Sequence, residues 1–298
     1  MSSTGPSLLD QLKSWPLAVL PHQFLSRIVR HITRWQLPWL KNFLIRRFIH
    51  AFNVDMSEAI MSEANDYPDF NAFFTRALRN GARPLPDDPL AIASPVDGRV
   101  SACGQIDGER ILQAKGHDYS LVNLLGGDTR HAQRFQDGRF ATLYLSPRDY
   151  HRIHMPCNAR LVETVYVPGR LYSVAPHTVR AIEHLFTRNE RLVALFETDN
   201  GPMAMVMVGA IFVSCMETVW GGVVNPRMGM ACISRQYPAD GGPAPTLARG
   251  EEMGRFNMGS TVILLYGPGQ AEWNDSLTAG AAVSMGRQIG TLQQKTPH

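Results

Sequence analysis

Several things are missing from this sequence, and each absence narrows what the chain can be. Cysteine occurs four times, at Cys103, Cys157, Cys215 and Cys232, and never as a Cys-x-x-Cys pair. That removes paired-thiolate zinc modules and thioredoxin-like redox motifs. With nothing at the N-terminus resembling a secretory signal, reduced thiols of a cytosolic protein are expected. The longest uncharged stretch, Asn200–Met216, is shorter than the ~20 apolar residues of a membrane-spanning helix and is rich in Gly, Met and β-formers. No fixed-period repeat occurs, which argues against propellers and solenoids. No G-x-S-x-G elbow surrounds Ser260, because Gly259 precedes it directly and Thr261 follows, so an α/β-type acyl hydrolase is disfavoured. Acidic residues are absent from Gln11 to Val54, a stretch that carries Lys13, Arg27, Arg30, Arg34, Lys41, Arg46 and Arg47. Such a basic arm on a mildly acidic body points to an anionic surface as partner.

The arm is apolar as well as basic. Read as a helix over 24–35, it puts Phe24, Leu25, Ile28, Val29, Ile32 and Trp35 on one half of the wheel and Arg27, Arg30, His31 and Arg34 on the other. Pro38 suits the first turn of a second helix. That helix bears Trp39, Leu40, Phe43, Leu44, Ile45, Phe48, Ile49 and Phe52, with Lys41, Arg46 and Arg47 among them. Large apolar residues opposed to cations describe helices lying in a bilayer interface, and a nucleic-acid arm would not need this apolar back. The alternative is that both helices pack on the protein's own core.

The larger part of the chain reads as β-structure. Twenty prolines and twenty-five glycines punctuate short apolar runs at 99–103, 139–145, 160–167, 192–198, 203–213 and 260–266. The fold class expected is α+β: a mainly β catalytic domain with an N-terminal amphipathic helical region. Residues 1–60 form the docking helices, 61–90 a partly helical linker segment ending in ARPLPDDP, and 91–298 the β-rich domain.

Three segments hold residues able to do chemistry. In SPVDGRV (94–100), Asp97 sits between Pro95 and Gly98, as a β-turn aspartate would; shaping that turn is its plain structural use. In SPRDYHRIHMPCN (146–158), His151, His154 and Cys157 are spaced three apart. Zinc is not expected there, since no second ligand cluster exists and an extended backbone turns residues three apart to opposite faces. A general base and a substrate-side acid, or two structural histidines, remain. In FNMGSTVILLY (256–266), a glycine and a hydroxyl stand at the entrance to a buried strand. The Gly259 carbonyl is unhindered and its backbone tolerates unusual dihedrals, so the Ser260 hydroxyl is placed to attack its own preceding peptide bond. Otherwise Gly-Ser-Thr is an ordinary strand-entry turn.

Together with FNAFFTRALRNGARPL (70–85), ILQAKGHDYSL (111–121), GPMAMVMVGA (201–210) and ETVWGG (217–222), these segments resemble phosphatidylserine decarboxylase of the bacterial proenzyme type. The motifs run in the family's order over most of the chain from residue 70. Met258 replaces the leucine common before the cleaved Gly-Ser, a swap of similar volume and apolarity. The resemblance implies a self-cleavage triad of Asp97, His154 and Ser260. Ser260 attacks the Gly259 carbonyl, the acyl group moves from nitrogen to oxygen, and β-elimination frees the Gly259 carboxylate. Hydration and loss of ammonia leave a covalent pyruvoyl group at 260, the cofactor that forms a Schiff base with the substrate amine. The products would be a large chain (1–259) and a small pyruvoyl chain (260–298), which pair as a heterodimer and are open to further oligomerisation.

His151 is the candidate proton donor for decarboxylation of phosphatidylserine to phosphatidylethanolamine in phospholipid biosynthesis. Partners implied are phosphatidylserine and an anionic membrane surface, with no nucleic acid and no metal. The location implied is peripheral, on the cytoplasmic face of the cell membrane. Three alternatives stay open: a pyruvoyl decarboxylase of a soluble amino acid, a Ser-His-Asp hydrolase that never cleaves itself, and a non-enzymatic membrane-binding module.

Overall fold

The computed structural model describes residues 26, 28–29, 31–114, 117–211, 215–224, 231–238, 244–257 and 260–294. Its centre is a large antiparallel sheet in the order β12 (Ile233–Gln236), β7 (Ala159–Val167), β8 (Arg191–Thr198), β9 (Gly201–Gly209), β15 (Ser260–Tyr266), β5 (Arg139–Leu145), β2 (Gly98–Gln105) and β17 (Ala282–Val283). The five long runs at 139–145, 160–167, 192–198, 203–213 and 260–266 form its middle. The expected run 203–213 stops as a strand at Gly209.

The physical reason for β15 is legible in Thr-Val-Ile-Leu-Leu-Tyr. Val262, Leu264 and Tyr266 enter the cluster on one face, and Ile263 and Leu265 the cluster on the other. A strand buried on both faces needs an unbroken apolar run rather than alternation. Every residue of β15 pairs with β5 on one side and β9 on the other. One face of the sheet is covered by a smaller sheet, β11 (Gly222–Val223), β10 (Met216–Thr218), β14 (Glu252–Phe256) and β6 (Arg152–His154). Ile153, Met216, Met253 and Phe256 supply its apolar contacts. The opposite face is covered by Tyr119, Leu121, Leu124, Phe135, Leu185 and Phe186, from short helices and a two-stranded hairpin.

The N-terminal region is a satellite with its own core. Ser26, Ile28, Val29, His31 and Ile32 are helical, and α1 spans Pro38–Phe52 with Pro38 in its first turn. Asn53 ends α1 in the left-handed conformation, its N–H bonding Ile49 O. Between residues 55 and 90 the only helices are a single 3-10 turn, Ala64–Asp66, and α2, Phe70–Phe74. The Asp69 side chain caps α2 by accepting from Ala72 N–H at 2.8 Å. Ile45, Tyr67, Phe70, Phe73 and Phe74 bury together, with Leu44, Phe48 and Ile49 packed against them. The apolar set expected to face lipid is therefore divided. Leu44, Ile45, Phe48 and Ile49 turn inward, whereas Ile28, Ile32, Trp35, Trp39, Phe43 and Phe52 stay exposed, as does Leu37 between the helices. Lys41 is buried too, its ammonium donating to Ala64 O and Asn65 O. Among the described residues no helix is long and apolar enough to cross a membrane.

Candidate active site

The chain passes from the small sheet to the large one across a short join. β14 ends at Phe256 and β15 begins at Ser260; Met258, Gly259 of the expected Gly259–Ser260 cleavage site, and the Ser260 side chain lie outside what the structure describes. Asn257 N–H donates to Cys215 O at 3.0 Å, tying the start of the join to the chain leading into β10. Ser260 is held by backbone register between Leu145 and Gly209. A Cβ at Gly209 would come within 3.2 Å of Glu190 O, so the strand beside Ser260 runs close against its neighbours. Thr261 is buried, and its hydroxyl has no hydrogen-bond partner among the described residues.

β5 continues past Leu145 into the loop that carries both histidines. Ser146 starts that loop, its N–H and hydroxyl both donating to Asp149 Oδ2 at 2.7 Å. His151 follows, fully buried, with its ring 4.0 Å from Phe74 of α2 and its carbonyl accepting from Phe256 N–H at 3.1 Å. It therefore sits beside the join. Its Nδ1 lies 2.8 Å from Asp149 O. A carbonyl only accepts, so Nδ1 carries the proton and Nε2 the lone pair. Nε2 is buried without a partner among the described residues. Burial, reinforced by the charge of Arg76 and opposed by the Asp149 carbonyl, takes the imidazole down to about 3 from its ordinary 6.5.

His154, on β6, is also buried enough for its basicity to fall, although the Gly250 carbonyl and nearby carboxylates pull the other way. Its Nδ1 donates to Gly250 O at 2.7 Å, and its Nε2 accepts from the Tyr150 hydroxyl at 2.9 Å. Desolvation raises the Tyr150 phenol well above its ordinary range, keeping it a donor.

Asp97 lies in the turn between β1 (Ala91–Ala93) and β2. Two backbone bonds dock this turn: His154 N–H to Pro95 O at 2.9 Å and Ala93 N–H to Pro156 O at 2.9 Å. Gly98 is required at its end, since a Cβ there would stand 2.2 Å from Tyr144 O. The Asp97 carboxylate is gripped in bidentate fashion by Arg83, Nε to Oδ1 at 3.1 Å and Nη2 to Oδ2 at 2.5 Å. Met285 N–H donates to Oδ1 at 2.7 Å. Arg83 also pairs with Glu58 at 2.6 Å. This cluster borders a cavity of about 320 Å³ whose lining includes Asp55, Glu58, Arg76, Arg83, Asp97 and Tyr150.

The structure thus brings the Asp97 turn and His154 onto adjoining backbones. No hydrogen bond joins their side chains among the described residues, and Asp97 acts on His154 as a nearby charge. Gly250 O and Tyr150 hold the ring instead. Cys157 faces away, its thiol 3.7 Å from Met203 Sδ and 3.8 Å from the Tyr266 hydroxyl. Among the described residues no group of three or more His, Cys, Asp or Glu is placed to hold a metal ion.

A family model described as phosphatidylserine decarboxylase matches residues 70–291. This chain belongs to the phosphatidylserine decarboxylase family. A second model, described as PSD, matches residues 12–53. The chain is 56% identical to a phosphatidylserine decarboxylase proenzyme of Alkalilimnicola ehrlichii, over 86% of this chain and 88% of that one. It is 50% identical to the proenzyme of Ectopseudomonas mendocina, with 92% and 96% covered, and 50% identical to that of Nitrosococcus oceani, with 95% and 93% covered. The family match spans Asp97, His151, His154 and Ser260.

Sequence reasoning did not single out Arg83, Tyr150 or Gly250. Arg83 and Tyr150 stand inside segments that carry the family resemblance, so a signal was present without a role. Gly250 contributes only a carbonyl, which any residue possesses, and nothing in the sequence marks it.

Proposed function

We propose that this chain is a self-processing decarboxylase that converts phosphatidylserine to phosphatidylethanolamine, cutting itself between Gly259 and Ser260 and carrying a pyruvoyl group at position 260. The observation that carries this reading is the family match over residues 70–291, together with the presence of every residue the chemistry requires.

The residues around the join fit such a group. His151, beside the join, offers a buried Nε2 lone pair with no described partner. That is the polar atom a keto-amide at position 260 would meet; Thr261, next along β15, turns to the opposite face of the sheet. When present, the pyruvoyl supplies a carbonyl for covalent capture of the substrate amine and a sink for the electrons released with CO₂.

The roles proposed for the chain's own residues come from the family resemblance, and their hydrogen bonds support them. His154 is the base that removes the Ser260 hydroxyl proton, at Nε2. Tyr150 holds that nitrogen in the resting arrangement and turns aside for the step. Gly250 O keeps the proton on Nδ1, and Asp97, fixed by Arg83, favours the imidazolium electrostatically. His151 is neutral at physiological pH, with its lone pair on Nε2. In the decarboxylation step it would take a proton at Nε2 from the substrate ammonium as that amine is captured, and return it to the substrate carbon. After cleavage, β15 of the small chain stays paired along its whole length with β5 and β9 of the large chain, so the two chains remain one body.

The exposed outer face of the arm, with Trp35, Leu37, Trp39 and Phe43 beside Arg46 and Arg47, is the surface proposed to meet anionic lipid. This makes the enzyme peripheral to the cytoplasmic face of the cell membrane. The deciding experiment is the intact mass of freshly purified protein. Two chains, 1–259 and 260–298, with a blocked pyruvoyl at the start of the second, are expected. Ser260→Ala should stay one chain and release no CO₂ from phosphatidylserine vesicles. CO₂ release from free amino acids but not from lipid would favour the soluble-substrate alternative.

A further inference from the structure

ETVWGG (217–222) belongs to the family resemblance, yet neither self-cleavage nor decarboxylation makes use of it. Glu217 lies on β10 directly opposite Arg255 of β14, and Arg255 Nε donates to Glu217 Oε2 at 2.8 Å. Its other oxygen, Oε1, accepts from Asn257 Nδ2 at 2.8 Å. Asn257 is fully buried and is the first residue of the join that leads to Ser260. The same carboxylate is 3.6 Å from Arg34, so the N-terminal arm reaches β10 at this point. A Cβ at Gly254 would stand 2.3 Å from Glu217 O, so β10 and β14 approach as closely as only glycine permits.

We propose that Glu217 is a positioning residue for self-cleavage: by holding the Asn257 amide it fixes the end of β14 from which the chain runs into the bond to be cut. The inference rests on the proposed cleavage between Gly259 and Ser260. In the step concerned, Ser260 Oγ adds to the Gly259 carbonyl carbon, the Gly259–Ser260 C–N bond breaks, and the hydroxyl proton ends on the freed amine, leaving an ester. Such a rearrangement within one dipeptide depends on angle and distance. A sub-ångström shift of the segment entering it slows it steeply. Asn257 is anchored three times, by its backbone N–H to Cys215 O and by its side-chain Nδ2 to both Glu217 Oε1 and Cys215 Sγ, each at 2.8 Å, so the direction in which the chain leaves it is set.

The test is a polarity swap in the full-length chain. Asn257→Asp sets two carboxylates against each other and is expected to slow appearance of the two chains by ~10-fold or more. Glu217→Gln combined with Asn257→Asp restores a donor and an acceptor with their roles exchanged. It should bring the rate back to within ~3-fold of the wild type. Hydroxylamine, which cleaves the ester, should leave the Asn257→Asp rate unchanged, because the slowed step precedes the ester. Melting temperatures measured in parallel separate a folding defect from a positioning one: the double variant must recover cleavage in excess of any recovery in stability.

Equal cleavage rates for all variants, or a double variant no faster than Asn257→Asp alone, would overturn the assignment of Glu217. A wild-type chain that never divides, or a Ser260→Ala chain that does, would instead overturn the cleavage reading beneath it.

Discussion

Trp39 and Phe43 give the sharpest way to ask what the arm is for. They stand on α1 at 71% and 60% relative exposure, on the side turned away from the satellite core. If a large aromatic side chain presents ~200 Å² of surface, the two leave ~140 and ~120 Å² in water. Transferred wholly out of water at ~25 cal/mol per Å², that area is worth ~6 kcal/mol. A helix seated in the headgroup region immerses only part of its face, so about half, ~3 kcal/mol, is the working figure. Replacing both by serine should therefore weaken partitioning onto vesicles by ~100-fold. Stability should change by less than ~0.5 kcal/mol, since neither ring packs in a core. The assay is co-sedimentation with vesicles containing anionic lipid. It is paired with CO₂ release from vesicles and from a short-chain, water-soluble phosphatidylserine. Activity should fall on vesicles and persist on the soluble substrate. Undiminished sedimentation, or equal loss on both substrates, would refute the docking role and return these rings to a purely structural one.

Other consequences concern the interior. Ile263→Ala empties a fully buried position of β15 and should cost ~2–5 kcal/mol, read from the urea midpoint; a change under ~1 kcal/mol would mean the strand is less tightly packed than its burial indicates. His151 is neutral when folded, with its value down at about 3 against 6.5 when free. It contributes stability that is complete above pH 6.5 and is lost as pH falls toward 3, where the unfolded chain binds a proton the folded chain refuses. His151→Gln should flatten the stability–pH curve across that window by up to ~1.4 kcal/mol per pH unit; parallel curves would contradict the buried neutral ring. Arg83→Lys replaces a two-pronged grip on Asp97 by a point charge and should slow self-cleavage by ~10-fold on a densitometric time course. An unchanged rate would show that Asp97 needs no such orientation.

The large strands were readable because their signal is local. The run at 260–266 announces a strand covered on both faces, and the runs at 139–145 and 160–167 fall within a residue of the observed bounds. The short strands of the second sheet were not. β6 and β10 have three residues each, too few for any periodicity, and they exist because β14 pairs with both. Residues 61–90 read as partly helical, and their helix is confined to one 3-10 turn and the five residues of α2, whose phenylalanines pack into the satellite core. The division of α1 was equally hidden. Its apolar residues are of one kind in the sequence, and only α2 and Tyr67 decide which of them are covered.

The sequence by itself supplied the candidate groups, a glycine and a hydroxyl before a buried strand, two histidines three apart and an aspartate in a tight turn, and the family resemblance carried by its motifs gave them a chemistry. Those are properties of covalent neighbours, and a linear string carries them in full. The tertiary structure alone decided who holds whom. Arg83 and Met285 reach Asp97 from either side of it in sequence, Gly250 and Tyr150 choose the tautomer of His154, and Glu217 grips Asn257 at the end of β14. Apart from Tyr150, four residues from His154, these partners are well separated in sequence, and such distances come into being only when the sheets pack.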